Sequence, residues 1–302
     1  MNNELVISVL KRNMTGGLFP PERQLIPNLS DIYELELAFY ENLLLTDEEL
    51  VRNAAYFSVV GGEYTSHFLM CTGRPLKLPN DSSSRLKSFF EKNIFRTGYA
   101  THGLFPYRGK FHPQMIKGII NVMGLKPGET VLDPMMGSGT VPVEASLMGI
   151  KSIGIDASPF CRFMAQTKLD ALTMSLARAR GALTHCEDVF EYFRKRVGQP
   201  QQGSKTGKVK AAEAFMSVME EAAGYAGEKD RRPLPDKGRD TLNTYHFLLL
   251  AYLDSAGYAE RSVKKSPLDQ FRAILERYLF VAEKIQNVLS NLGVEPAPAE
   301  IL

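Results

Sequence analysis

Cysteine is scarce in this chain. The 302 residues hold three, Cys71, Cys161 and Cys186, widely spaced and without a CxxC pair. That count excludes a disulfide framework and a cysteine-rich metal centre, and buried thiols in a reduced, cytosolic protein are the simplest reading. The five histidines show no metal-ligand spacing either, so no metal site is expected. Long apolar runs are missing: none approaches the ~20 residues that cross a bilayer. The opening MNNELVISVLKRN has no basic flank, long apolar run or small-residue cleavage site, so no secretory signal is expected. Charge of one sign is nearly absent, with 36 basic against 34 acidic residues and a net +2. Nucleic-acid binding would therefore need a local basic patch.

What is present is concentrated at 130–160, TVLDPMMGSGTVPVEASLMGIKSIGIDASPF. It reads as strand, glycine turn, helix, strand, acid. TVLDPM is a short apolar strand whose composition predicts burial on both faces. A helix over 140–149 stops at Gly149, and KSIGIDAS is a second strand, making a right-handed βαβ unit of a parallel sheet. Upstream, Pro113 suits the first turn of a helix that ends near Gly124, and KPGE turns the chain. The fold class is α/β.

The rest is predicted mostly helical. Residues 1–95 form a helical N-terminal region, with Ser30 as a cap and Thr46 with Glu49 as a capping box. Residues 96–165 form the βαβ core. Residues 166–293 form a long helical insertion, nearly continuous helix from 160 to 198, then a polar linker at 199–210 and further helices. Ser266, Pro267 and Asp269 open the last helix and Gly293 ends it. Residues 294–302, VEPAPAEIL, start another core strand.

The glycine turn constrains its ligand. No Lys-Ser/Thr follows Gly139, so this is not a Walker loop, and Gly137-Ser138-Gly139 is followed by Thr140, Val141 and Pro142, so GxGxxG is incomplete. Asp133 sits at the mouth of the turn, where a carboxylate would repel a pyrophosphate. It favours S-adenosylmethionine (SAM), which has no phosphate and carries two positive groups, and disfavours an NAD-dependent enzyme. Asp156 ends the second strand, where an acid reaches both ribose hydroxyls. Asp133 as a turn former before Pro134 and Asp156 as a helix cap are the plainer alternatives.

With these residues together, 97–160 resembles the cofactor half of DNA amino-methyltransferases, the adenine-N6 and cytosine-N4 group. DPMMGSGT resembles their first motif, with Asp133, Pro134, Met135, Gly137, Ser138, Gly139 and Thr140 in matching places. GIDASP resembles the second, with Asp156 and Ala157. YRGKFHPQMI resembles the motif that holds the methionine moiety, with Lys110, Phe111, His112 and Pro113 matching. The resemblance implies a Rossmann-like core, SAM as cofactor, DNA as partner and methyl transfer to an exocyclic amine. RNA, of the tRNA guanine-N2 type, is the alternative substrate, and a catalytically inactive SAM-binding or assembly subunit is the alternative role. Read from the residues alone, the N–H groups opening the Pro113 helix suit a carboxylate, and His112 is equally a structural cap.

The group's catalytic (Asp/Asn/Ser)-Pro-Pro-(Tyr/Phe/Trp) turn is missing. Pro20-Pro21 lies between Phe19 and Glu22, and Ser158-Pro159-Phe160 has a single proline. No catalytic residue is assigned. The resemblance then implies an incomplete sheet and the front part of a longer enzyme: a split gene whose complementary chain carries the other half, a truncated gene, or a fragment. Arg194, Lys195, Arg196, Lys205, Lys208 and Lys210 form an acid-free basic stretch suited to phosphates, or a solvated linker. Tyr99, Phe105 and Tyr107 line a cofactor or base pocket, or anchor their loop.

Overall fold

The computed structural model describes residues 17–26, 29, 31–72, 98–197, 236–259 and 266–302. Ser30 and the 199–210 linker with Lys205, Lys208 and Lys210 lie outside the described residues.

The elements run β1 (Arg23–Leu25), α1 (Ile32–Leu44), α2 (Asp47–Asn53), β2 (Phe57–Val60), β3 (Glu63–Tyr64), α3 (Ser66–Thr72), a 3-10 turn (Ala100–Gly103), α4 (Pro113–Val122), β4 (Thr130–Asp133), α5 (Thr140–Leu147), β5 (Lys151–Gly154), α6 (Pro159–Asp170), α7 (Ala177–Thr184), α8 (Cys186–Val197), α9 (Asp236–Ala259), α10 (Pro267–Leu292) and β6 (Ala299–Ile301).

The N-terminal region differs from the helical expectation. Besides helices it holds an antiparallel sheet, β1-β2-β3. Its strands are two to four residues long, too short for a period-2 pattern to show in sequence. The Thr46 box is formed, Thr46 Oγ1 accepting from the Glu49 N–H and Glu49 from the Thr46 N–H. The N-cap of α1 is Asp31, boxed with Glu34.

In the second sheet β4, β5 and β6 are all parallel, in that order. Thr130 faces Lys151, and Ser152 faces Ala299. The expectation that β4 is buried on both faces fails: its residues alternate between exposed and half-buried, and Leu132 is 58% exposed. The cause is an uncovered face: Thr130, Leu132, Lys151 and Glu300, which the register puts on one side of the sheet, are all exposed, while Val131, Ser152 and Gly154 on the other side are at least half-buried.

The stretch expected as nearly continuous helix from 160 to 198 is three helices. The Leu169 and Asp170 carbonyls accept from Leu172, Thr173 and Met174 in turns, which lets Leu172, Met174 and Leu176 reach the core. Helices α6 to α10 do not form a separate body. Phe163, Phe190, Phe247, Phe271 and Tyr278 share one apolar cluster with Tyr99, Leu104, Val143 and Leu147 of the βαβ region. Between α9 and α10, Asp254 accepts from Arg277 at 2.6 Å and from Tyr278 at 3.2 Å, all buried.

A second cluster, with Leu50, Tyr56 and Phe57, fills the N-terminal region. Its junction with α4 is polar. Glu41 is buried and accepts from the Ala55 N–H (2.9 Å), the Tyr56 N–H (3.2 Å) and Asn121 Nδ2 (2.6 Å). Gln114 donates to the Ala55 carbonyl at 2.7 Å. Glu41→Ala strands the Ala55 and Tyr56 N–H groups, each worth ~1–3 kcal/mol when orphaned, while Asn121 Nδ2 keeps the Asn53 carbonyl. Urea unfolding is expected to show a loss of roughly 2–4 kcal/mol, and an unchanged midpoint would contradict this role.

Candidate cofactor site

The site is built at the carboxyl ends of β4 and β5. Between β4 and α5 the chain makes a tight turn in which Gly137 and Gly139 take φ of 52° and 77°, the left-handed region natural to glycine. At Gly139 space adds a second reason: a Cβ there would lie 2.7 Å from Ala165 Cβ on α6. The floor of the turn is thus the α6 backbone, at a distance only glycine permits.

Two carboxylates flank the turn. Asp133 Oδ1 accepts from the Met135 N–H at 3.1 Å. Burial, with Asp156 adding repulsion, raises its pKa, so a positive ligand group there relieves an existing strain of charge. Asp156 Oδ2 accepts from the Gly137 N–H at 2.9 Å and Oδ1 from the Ser158 N–H at 2.8 Å. Those bonds aim the acid at the turn and leave each oxygen a lone pair for hydroxyls. Ser158, not Asp156, is the N-cap of α6, accepting from the Cys161 N–H at 3.4 Å.

The upstream motif lies on the adjoining loop and α4. Pro113 is the first residue of α4, and His112 is its N-cap residue but makes no side-chain cap hydrogen bond. Lys110 Nζ donates to the His102 carbonyl at 3.1 Å, and burial brings its pKa down to about 8. Phe111 and Met135 are exposed, as are Pro134 and Ala157, whereas Ser138 and Thr140 are buried. The Ser138 hydroxyl has no hydrogen-bond partner among the described residues. Tyr107 rests its ring 3.5 Å from where a Gly137 Cβ would stand and takes a contact from Cys161 Sγ at 3.8 Å. Phe105 sits edge-on to Phe160.

Tyr99 is an anchor, fully buried with its hydroxyl on Glu144. Glu144 was not singled out in the sequence, yet it ties the site together. His102 Nε2 donates to its Oε1 at 2.7 Å, and Lys117 Nζ lies 3.4 Å from its Oε2. Burial opposes its charge, but Lys117 and then His102 and Tyr99 hold the pKa down at about 2. His102 is neutral, because burial outweighs Glu144 and takes its pKa to about 4. The one available signal was an acid within the otherwise uncharged helix TVPVEASL.

Of the basic residues expected on nucleic acid, Arg194, Lys195 and Arg196 are exposed. Arg194 pairs with Glu191 at 2.6 Å, and Arg196 lies 4.1 Å over the Tyr192 ring. Arg194, Lys195 and Arg196 fall in the last turn of α8, where cations also suit the helix dipole.

Residues 104–230 match the UPF0020 (RMKL-like) methyltransferase domain. Over 68 residues the chain is 47% identical to the type II methyltransferase M.MjaII of Methanocaldococcus jannaschii, covering 22% of this chain and 13% of the relative. It is 37% identical over 67 residues to the type II methyltransferase M.BsoBI of Geobacillus stearothermophilus, covering 22% and 13%. It is 38% identical over 52 residues to a tRNA (guanine(10)-N2)-dimethyltransferase of Methanothermobacter thermautotrophicus, covering 17% and 16%. The matched stretch thus spans less than a fifth of any of these relatives. No solved structure gives a significant match. Together these matches make part of this chain similar to methyltransferases.

Glu144→Ala leaves the buried Lys117 without its carboxylate and should cost about 3–5 kcal/mol in urea unfolding. A loss under ~1 kcal/mol would remove Glu144 from this role. Acid should also weaken the fold. Burial depresses His67 to about 3 and both His102 and His246 to about 4, from 6.5. A depressed pKa gives stability that is full above 6.5 and lost as pH falls toward 4. The urea midpoint should drop between pH 7 and pH 4.5, and His246→Leu should flatten the drop.

Proposed function

We propose that this chain supplies SAM binding to a methyltransferase that acts on an exocyclic amino group of a DNA base, through a Rossmann-like core. The observation that carries the reading is the pair Asp133 and Asp156 flanking a glycine turn that opens α5. Two carboxylates suit a ligand with a sulfonium, an ammonium and a ribose diol, and oppose one with a pyrophosphate. The residues fit the cofactor in two further ways. The Ser138 hydroxyl awaits a partner, and the start of α4 offers N–H groups to a carboxylate.

When bound, SAM supplies an electrophilic methyl group. Asp156 would hold the ribose hydroxyls, Asp133 would stabilise the positive methionine end, and residues 110–113 would seat its carboxylate. Tyr107, over the turn, would keep water from the adenosine face. The chain has no turn of the (Asp/Asn/Ser)-Pro-Pro-aromatic type to accept hydrogens from a target amine. A complementary segment pairing along the open edge of β4 would supply it. Apolar side chains are exposed on β4 and just beyond it, with Leu132 and Met135 both more than half exposed.

A second reading, methylation of guanine N2 in tRNA, draws on the third relative. Calorimetry should give one SAM site and no NAD binding, with Asp156→Ala weakening SAM at least ~tenfold, or about 1.4 kcal/mol. NAD binding in place of SAM would overturn the cofactor assignment. The chain alone should transfer no labelled methyl group to DNA or tRNA, and transfer by the isolated monomer would overturn the need for a complementary segment.

A further inference from the structure

Beneath the glycine turn lies a lysine that the ion pairs leave unexplained. Lys168 on α6 is 0% exposed, and its Nζ donates to the Ser138 carbonyl at 3.0 Å. Among the described residues no ion pair includes it. An ammonium buried against one neutral carbonyl is costly to the fold, so its retention asks for a reason. The location supplies one. Lys168 stands one helical turn beyond Ala165, the residue pressed against Gly139. α6 therefore touches the turn twice, once by packing and once by hydrogen bond. The peptide joining Ser138 to Gly139 borders a residue at φ 77°, where glycine leaves rotation unusually free. Holding that carbonyl down against α6 keeps the oxygen away from the ligand side.

We infer that Lys168 is a positioning residue for the cofactor: its ammonium locks the Ser138–Gly139 peptide in the orientation that receives the nucleoside, so that protonation of Lys168 and cofactor binding are coupled. This rests on the SAM reading above. A charge-assisted hydrogen bond is roughly twice as strong as a neutral one, so the charged form is the locking form. Burial, with Lys110 adding, brings the Lys168 pKa down to about 7, which puts the switch within reach of neutral pH. The groups facing it are Lys110 from the upstream loop, His102 from the 3-10 turn and Cys161 from α6 itself. On the other elements packed against α6, Glu144 of α5 is engaged by Tyr99, His102 and Lys117. His246 of α9 lies edge-on to Phe163, and Glu300 of β6 is exposed.

The test is SAM affinity by calorimetry from pH 6 to 8.5 on the full chain and on Lys168→Met. The wild-type affinity should be highest at pH 6 and fall ~tenfold by pH 8.5, matching a one-unit rise of the lysine pKa on binding. The variant should bind ~tenfold more weakly at pH 6 and show a flatter profile. A wild type that binds SAM with no pH dependence, or a variant with unchanged affinity and profile, overturns the role of Lys168 and leaves the cofactor reading standing. A wild type that does not bind SAM at any pH overturns both. Should the variant fail to fold, 13Cε-lysine NMR of the wild type decides. The lysine titrating near neutral pH should move up by about a unit with SAM, and an unmoved pKa overturns the proposal.

Discussion

The structure around the candidate site depends on one buried carboxylate. Glu144 lies at the centre of α5, with Tyr99 and His102 bonded to one oxygen and Lys117 beside the other. Those three partners come from the 3-10 turn with its preceding residue and from α4. The upstream motif at 110–113 hangs between these same two elements. The glycine turn, at the other end of α5, therefore keeps a fixed relation to a motif that lies about twenty-five residues earlier in the chain. A buried ion pair of this kind contributes little net stability over an apolar equivalent. What it contributes is registry, since an apolar contact tolerates sliding and a three-donor carboxylate does not.

Charge within the site is then sorted by depth. Asp133 and Asp156 face the ligand side of the turn, and Lys168 lies beneath it with no carboxylate in reach among the described residues. Asp156 is oriented by two backbone N–H groups rather than by a cation, so its negative charge is not neutralised locally. A ligand with a separated positive end and polar hydroxyls meets complementary groups there, and a phosphate meets two carboxylates.

Much of this site was legible in the sequence because each feature is local. The glycines, the strand-turn-helix order, the acid ending β5, the Pro113 helix start and the caps at Thr46 and Ser266 are all written within a few residues of where they act. What escaped was non-local. Glu144 and Lys168 looked like ordinary helix residues, because their partners lie 27 to 45 positions away or on another element. Strands β1 to β3 are too short to leave a periodic trace. β4 misled for a different reason: its composition reports the environment it is suited to, a strand covered on both faces, while Thr130, Leu132, Lys151 and Glu300 leave one face of this sheet open.

That mismatch bears on how three parallel strands hold together at all. Small sheets need a packed face to be stable, and here the shortage of strands is offset by helices. The apolar cluster that begins at Tyr99 and Val143 continues without a break into α6, α9 and α10, so the connection between β5 and β6 carries much of the core that further strands would otherwise supply. A second, smaller cluster of Ile116, Ile120, Ala145, Met148 and Ile150 covers the side facing α4. The sheet is thus packed on the face that carries Val131, Ser152 and Gly154, while the face of Thr130, Leu132, Lys151 and Glu300 is exposed and the outer edge of β4 lacks a strand partner among the described residues. The candidate site can keep its geometry through Glu144 and this shared core, independently of whatever pairs with that edge. An open edge on a rigid body suits addition of a strand by hydrogen bonding, because nothing on the cofactor side has to be rebuilt for it to join.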